Sequence, residues 1–137
     1  MSYYKYGRET EFDEFSSKNL QRKAIAYDRN DVGKLKISSN ESLRHFVAKS
    51  VLVFELLKMK HRIYCEADMP GVGRLDVFDQ TVNAVYELES EKSIANINKA
   101  KEKYKQANID LIIIQINHMP MEIDAIREFM RAHIRPD

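Results

Sequence analysis

The stretch with the sequence IDLIIIQI, residues 109–116, constrains the fold more than any other part of the chain. It is almost continuously apolar and rich in β-branched residues, which favour strands. A strand with one solvated face alternates apolar and polar residues, whereas a strand covered by helices on both faces does not. The run therefore predicts a strand buried on both faces and an α/β fold.

The segments around this strand supply the other elements of such a fold. Apolar residues recur at close to a 3.6-residue spacing over residues 43–57, which predicts a heavily buried helix. Residues 73–79 and 83–89 alternate in polarity, which predicts two strands joined by a tight turn. We predict an α-β-β-β-α-β-α core, a mixed central sheet flanked by helices, in one domain of residues 38–137. The predicted elements cover residues 38–60, 62–67, 73–79, 83–89, 93–106, 109–116 and 120 onward.

The start of the chain is patterned differently. Residues 1–37 are predicted to form an N-terminal helical extension or arm, with a weakly amphipathic helix over residues 10–28 and Gly33 as its terminator. In the first helix of the domain, the Ser-Ser-Asn segment at residues 38–40 offers N-cap candidates, and Glu41 then falls in the first turn.

Composition narrows the class of protein. The 137 residues carry a net charge of +1, which argues against a general polyanion-coating protein but leaves local basic patches open. A single cysteine, Cys65, cannot form an internal disulfide or a zinc site alone. The chain has no apolar stretch of about 18 residues and no signal-peptide core at its start. We expect a cytoplasmic protein, or one of the host cytoplasm if it is encoded by a virus or plasmid, with no membrane partner.

The tight turn between the two alternating strands fixes a register with a chemical consequence. A turn centred between residues 81 and 82 puts Asp76 directly opposite Glu87, and Arg74 opposite Glu89. Opposed carboxylates have β-carbons about 4.5–5.5 Å apart and repel each other. A cation between them would remove the repulsion, and Mg²⁺ or Mn²⁺ prefers such oxygen ligands. We therefore predict a Mg²⁺ or Mn²⁺ site at Asp76 and Glu87.

Other residues are candidates for the same metal site, each with a simpler alternative. Glu41 could reach the site from the first helix, although capping alone explains an acid there. The main-chain carbonyl of Leu88 could add a ligand. Glu89 shares a strand face with Glu87, but a surface ion pair with Arg74 would also explain it.

His45 follows Glu41 by one helical turn and is expected to be a partly buried structural histidine, with a place in the cleft as the alternative. Cys65 is expected to lie in the core.

These residues resemble two motifs of the PD-(D/E)XK (restriction-endonuclease-like) nuclease superfamily. Gly-Arg-Leu-Asp-Val at residues 73–77, then Tyr-Glu-Leu-Glu at residues 86–89, is similar to its second and third motifs. The likeness extends over about residues 39–116 and is closest to small archaeal or viral members related to Holliday-junction resolvases. It implies that Asp76 and Glu87 bind a catalytic metal and that an acid on the first helix, here Glu41, assists them.

The chain departs from the family at one place. The usual lysine, two residues after the second acid, is Glu89 here. We expect Lys92 or Lys99 to supply the displaced ammonium group. Lysines on the helix over residues 93–106, together with Arg74, are expected to contact nucleic acid, although lysines there are also typical of a solvated surface. The basic candidates for the nucleic-acid interface are Lys99, Lys101, Lys103 and Arg74.

The expected function is that of a metal-dependent nuclease that hydrolyses DNA phosphodiester bonds, with selectivity for DNA structure left open. The expected catalytic residues are Asp76, Glu87, Glu89, Lys92 and Lys99. By analogy with the family we expect a homodimer, since cutting two strands usually needs two sites. The alternative is a nuclease-fold module that binds DNA or dimerises without catalysis.

Overall fold

The computed structural model describes residues 25–90 and 94–137. The chain forms a mixed α/β fold, as predicted. No helix within the described ranges is long and apolar enough to cross a membrane. A short 3₁₀ helix (Arg29–Asp31) precedes helices α1 (Leu43–Lys58), α2 (Ile94–Gln106) and α3 (Ile123–Arg131), and the strands are β1 (Ile63–Cys65), β2 (Asp68–Met69), β3 (Gly73–Arg74), β4 (Val77–Asp79), β5 (Ala84–Glu89) and β6 (Asp110–Gln115).

Four strands form a mixed sheet in the order β1-β4-β5-β6. The pairs β1–β4 and β4–β5 are antiparallel. Strand β6 is parallel to β5 and is reached through α2, because parallel neighbours need a long crossover connection. Val77 pairs with Tyr86 and Phe78 with Val85, so the predicted register is confirmed for residues 77–79.

Apolar side chains cover both faces of this sheet. On one face, α1 and α3 pack over a core that includes Leu52, Val77 and Ile114. On the other face, Tyr104 of α2 packs with Phe78 in a second core. The sheet is therefore flanked by helices on both sides, which is why residues 109–116 lack a polar face.

Helix α1 begins later than predicted. Its N-cap is Ser42, whose hydroxyl accepts a hydrogen bond from the backbone N–H of His45 at 3.1 Å. Glu41 therefore lies just before the cap, not in the first turn. It is fixed there because its carboxylate accepts from the backbone N–H of Ser38 at 3.2 Å.

The strand predicted over residues 73–79 is broken in two. The chain bends at Asp76, between β3 and β4. Before the bend, Leu75 donates its N–H to Ala67 instead of pairing with β5, and β3 pairs with β2 in a separate two-stranded sheet. Arg74 consequently lies opposite Asp68, and the predicted pairing of Arg74 with Glu89 is wrong.

The helix predicted over residues 10–28 lies mostly outside the described residues. Its last four residues do not form a helix, since Ala26 makes a β-bridge with Asp68. Ile25 is buried in the second core, and Gly33 donates its N–H to the carbonyl of Ile63 at 2.8 Å. Residues 25–33 thus lie against the sheet, and the division of the chain at residue 37 stays a prediction.

Candidate functional site

Asp76 and Glu87 meet where β4 and β5 separate. The backbone N–H of Asp76 donates to Oε2 of Glu87 at 3.1 Å. In return, the backbone N–H of Leu88 donates to Oδ2 of Asp76 at 2.8 Å. Strand β4 starts only at Val77, so the Leu88 N–H of β5 donates to the side chain of Asp76 instead of to a backbone carbonyl. The bend at Asp76 thus brings together the two acids that the sequence pattern placed opposite each other.

Helix α1 and the residue just before its N-cap add three charged or polar side chains to the two acids. His45 and Lys49 are four residues apart and so lie on one side of α1, and Glu41 contacts both of them. The ring of His45 lies between two carboxylates, with Nδ1 2.7 Å from Oε2 of Glu41 and Nε2 3.3 Å from Oδ1 of Asp76. Nζ of Lys49 lies 2.5 Å from the same oxygen of Glu41. His45 therefore occupies the cleft position that was the alternative to a structural role.

A fourth acid, Glu66, closes the cluster from the end of β1. Its Oε2 lies 3.2 Å from Nζ of Lys49, and its Oε1 lies 3.5 Å from a guanidinium nitrogen of Arg74. The Lys49 side chain is fully buried between Glu41 and Glu66. We call the seven residues together the acidic cluster: Glu41, His45, Lys49, Glu66, Arg74, Asp76 and Glu87.

The ionic contacts fix the charge state of the two residues nearest the core. Burial lowers the pKa of Lys49, but hydrogen bonds and charges from Glu41 and Glu66 outweigh it and hold that pKa above the usual lysine value. Burial raises the pKa of Glu41, but Lys49, the Ser38 backbone and His45 together bring it below the usual value. Lys49 is thus an ammonium and Glu41 a carboxylate at neutral pH.

The neighbouring carboxylates also change the pKa of His45. The hydrogen bond to Asp76 raises the pKa of His45, burial lowers it, and the charge of Asp76 and the bond to Glu41 raise it further, so that the balance lies above the usual histidine value. A protonated ring can donate from both nitrogens, which matches its position between two carboxylates.

The cluster opens into a polar cleft of about 500 Å³. Hydroxyl and amide side chains of Ser38, Asn40, Ser42 and Ser90 line it together with the guanidinium of Arg74. Acids, cations and neutral hydrogen-bonding groups therefore all face one solvent-accessible space, and such a space suits a polar, charged ligand.

The other predicted site residues lie around this cleft or away from it. Glu89, at the end of β5, is half-buried, and Lys92 lies outside the described residues. Lys99 and Lys101 are exposed on α2. Lys103 lies against the turn at Gly71, between β2 and β3.

The main-chain carbonyl of Leu88 lies on the side of the two acids. Glu89 turns its carbonyl towards β6, where it accepts from Ile116 at 3.0 Å. Because successive residues of a strand alternate, Leu88 turns both its N–H and its carbonyl to the opposite edge, where Asp76 is.

Two members of the cluster, Lys49 and Glu66, were not among the predicted site residues. Lys49 had a sequence signal, since Glu41, His45 and Lys49 repeat every four residues along the predicted helix. Glu66 had none: it is one acid after a short strand, and its place depends on the bend at Asp76.

The chain matches no family model, no curated protein and no solved structure. Any assignment of function therefore depends on the geometry of the cluster.

The donor atoms suit a hard cation at part of the cluster. Mg²⁺ is commonly held by one or two carboxylates and keeps several waters, and Asp76, Glu87 and the Leu88 carbonyl offer that set. Within residues 25–90 and 94–137, no group of three or more histidine, cysteine, aspartate and glutamate side chains is arranged to hold one metal ion. Glu41 is engaged by Lys49 and His45, so it fits a supporting role better than that of a direct ligand.

Proposed function

We propose that the chain is a metal-dependent nuclease of the PD-(D/E)XK type that hydrolyses DNA phosphodiester bonds. The observation that carries the proposal is the meeting of Asp76 and Glu87 at the point where β4 and β5 separate, with His45 of α1 linking Asp76 to Glu41, which Lys49 contacts in turn. A structural hairpin does not require two carboxylates at one point, whereas a hard cation prefers such oxygen ligands.

The order of the sheet supports the same proposal. Helix α1 is followed by an antiparallel run, β1, β4 and β5, and then by α2 and the parallel strand β6. This is the arrangement expected of a restriction-endonuclease-like core, with the β2–β3 hairpin as an insertion between its first two strands.

Asp76, Glu87 and the Leu88 carbonyl are the groups that would hold Mg²⁺ or Mn²⁺. Bound there, the ion would polarise a phosphodiester and lower the pKa of a coordinated water. Glu41 would balance the charge of Lys49 beside them. Glu89 stays a candidate for the catalytic shell because it shares a strand face with Glu87.

Lys49 is the best candidate for the cation that the motif lacks at Glu89. Its pKa lies above the usual lysine value, so it cannot accept a proton from water near neutral pH. It can instead stabilise negative charge, and a buried ammonium does so more strongly than one in solvent. Lys92 and Lys99 stay the candidates that the sequence pattern predicted for this role, and Lys99 is exposed on α2.

Arg74 and the α2 lysines would bind the nucleic-acid backbone. Arg74 lines the cleft with a side chain that is 69% exposed, so it is accessible to a phosphate. Lys99, Lys101 and Lys103 extend the basic surface along α2, and such contacts weaken as salt is added. Cutting both strands would need a second site, and hence a homodimer.

The test is cleavage of plasmid and branched DNA with Mg²⁺ or Mn²⁺. Asp76→Asn keeps the size of the side chain but removes its charge, and we expect cleavage to fall by about a hundredfold or more. Glu128→Gln, on the exposed side of α3, is the control for loss of one negative charge. Full activity of Asp76→Asn would refute the proposed site.

A specific observation favours one rival, a DNA-binding module of the same fold without catalysis. His45 and Lys49 already neutralise oxygens of Glu41 and Asp76, so the cluster is partly compensated without a metal. Calorimetry with Mn²⁺ separates the two functions. Heat of binding that disappears in Asp76→Asn favours the nuclease, whereas salt-sensitive DNA binding without such heat favours the rival.

A further inference from the structure

Glu66 joins the buried part of the acidic cluster to the part that a ligand would touch. Its side chain is 11% exposed, and each carboxylate oxygen faces a different cation. Oε2 lies 3.2 Å from the ammonium of the fully buried Lys49, and Oε1 lies 3.5 Å from the largely exposed guanidinium of Arg74. One side chain thus contacts both a core cation and a cleft cation.

The backbone of Glu66 adds an independent observation. Its φ is +60°, in the left-handed region that L residues other than glycine, asparagine and aspartate seldom adopt. Its N–H donates to the carbonyl of Asp76 at 3.3 Å, which links this conformation to the bend at the site. Asparagine or glycine would fit the backbone better. A strained glutamate here indicates that its side chain has a use.

The contact with Arg74 has a clear physical consequence. A long, exposed side chain loses conformational freedom when it binds a ligand, and this weakens binding. An ion pair that already orders the guanidinium reduces that loss, and leaves other N–H groups for a two-point contact with a phosphate.

We infer that Glu66 is a positioning residue with two effects: it orients Arg74 for a DNA phosphate in the cleft, and it holds the Lys49 ammonium beside Glu41. The inference rests on the proposed nuclease function. In this role Glu66 contributes to substrate affinity through Arg74 and to turnover through Lys49, although Glu66 itself does not contact the reacting atoms.

The test is Glu66→Gln, which keeps the side-chain length and removes the charge. DNA affinity, measured in the presence of a chelator, should weaken by about two- to tenfold, the range expected for ordering one side chain. With Mg²⁺, kcat should fall by about tenfold or more, because the Lys49 ammonium loses one of its two carboxylates. Glu128→Gln is the charge-matched control and should change neither quantity.

A double-mutant cycle separates positioning from a merely structural role. In the Arg74→Ala background, Glu66→Gln should have no further effect on Kd but should still lower kcat. Equal weakening of Kd in both backgrounds, or unchanged Kd and kcat in Glu66→Gln alone, would overturn the inference. If Glu66→Gln does not fold, Glu66→Asn suits the backbone conformation and carries the same expectations.

The failures of the two proposals are distinguishable. Wild-type protein that neither binds nor cuts DNA refutes the nuclease function and, with it, the role of Glu66. Active wild-type protein with an equally active Glu66→Gln variant refutes the positioning role alone.

Discussion

Strand β4 has an aspartate near each end, and the two lie in opposite surroundings. At its last residue, Asp79 accepts from Nδ1 of His61 at 2.6 Å and from the Thr81 backbone N–H at 3.1 Å, and both side chains of the Asp79–His61 pair are fully buried. Just before its first residue, Asp76 contacts Leu88 and His45 at the edge of the cleft.

The difference between these ends lies in charge balance and access, not in the presence of an acid–base contact. Asp79 pairs with the imidazole of His61, whose Nε2 also lies 3.8 Å from Oδ1 of the exposed Asp137, and burial raises the pKa of Asp79 although His61 and nearby backbone N–H groups lower it. The Asp76 end has four carboxylates against the two permanent cations Lys49 and Arg74, and it opens into solvent. A closed pair holds parts of a fold together, whereas an open cluster with excess acid can take up a cation or a ligand.

Glu55 shows that helix α1 makes both kinds of contact. Its carboxylate is buried and pairs with Arg127 at 2.5 Å and Arg131 at 3.5 Å, which ties α1 to α3. Like Asp79, and unlike Glu41, it does not line the large cleft. Glu55 and Asp79 therefore stabilise the fold, and Glu41 and Asp76 stay the candidates for function.

The largest effect on stability is expected at the buried Asp79 end of β4, the closed end. Asp79→Ala leaves the buried Nδ1 of His61 and the Thr81 N–H without their acceptor, which should lower the free energy of unfolding by about 2 kcal/mol or more. Urea denaturation measures this loss, with exposed Asp68→Ala as the control. DNA cleavage per folded molecule should not change, and a selective loss of cleavage would place Asp79 with the functional residues.

A smaller effect on stability is expected at the Asp76 end of β4, the open end. Asp76→Ala removes the acceptor of the Leu88 N–H and the carboxylate beside Nε2 of His45, but water can reach the cleft and replace both contacts, so the cost should be about 1 kcal/mol or less. The same denaturation series gives the value. A loss as large as that of Asp79→Ala would mean that Asp76 is a structural acid, and the contrast between the two ends would then fail.

The sequence predicted the parts of this contrast that depend on periodicity. Alternation and the turn over residues 80–83 gave the register of β4 and β5, which is why Asp76 and Glu87 could be paired in advance. Alternation could not reveal the bend at Asp76. The bend depends on backbone hydrogen bonds from Glu66 to Asp76 and from Leu75 to Ala67, which join different segments of the chain. Arg74 was therefore assigned to the wrong partner.

The cations of the cluster were harder to predict than the acids. Lys49 lies in an amphipathic helix, where a lysine is usually exposed to solvent. Its burial depends on Glu41 and Glu66, which reach it from different elements, and that meeting is decided by tertiary packing. Local patterns fix which face a residue occupies, and long-range packing decides which charges meet.

The finest test of the contrast is the pH dependence of stability at His45. Because the folded-state pKa of His45 is raised, its contribution should be fully present below the usual histidine value of about 6.5 and should be lost as pH rises through the folded-state pKa. The difference in unfolding free energy between wild type and His45→Gln, measured by urea denaturation from acidic to alkaline pH, should therefore shrink as pH rises. His118→Gln, which removes an exposed imidazole outside the cluster, is the control. A difference that stays constant or grows with pH would mean that His45 does not bridge Glu41 and Asp76 as an imidazolium, and that the open end holds less positive charge than its geometry indicates.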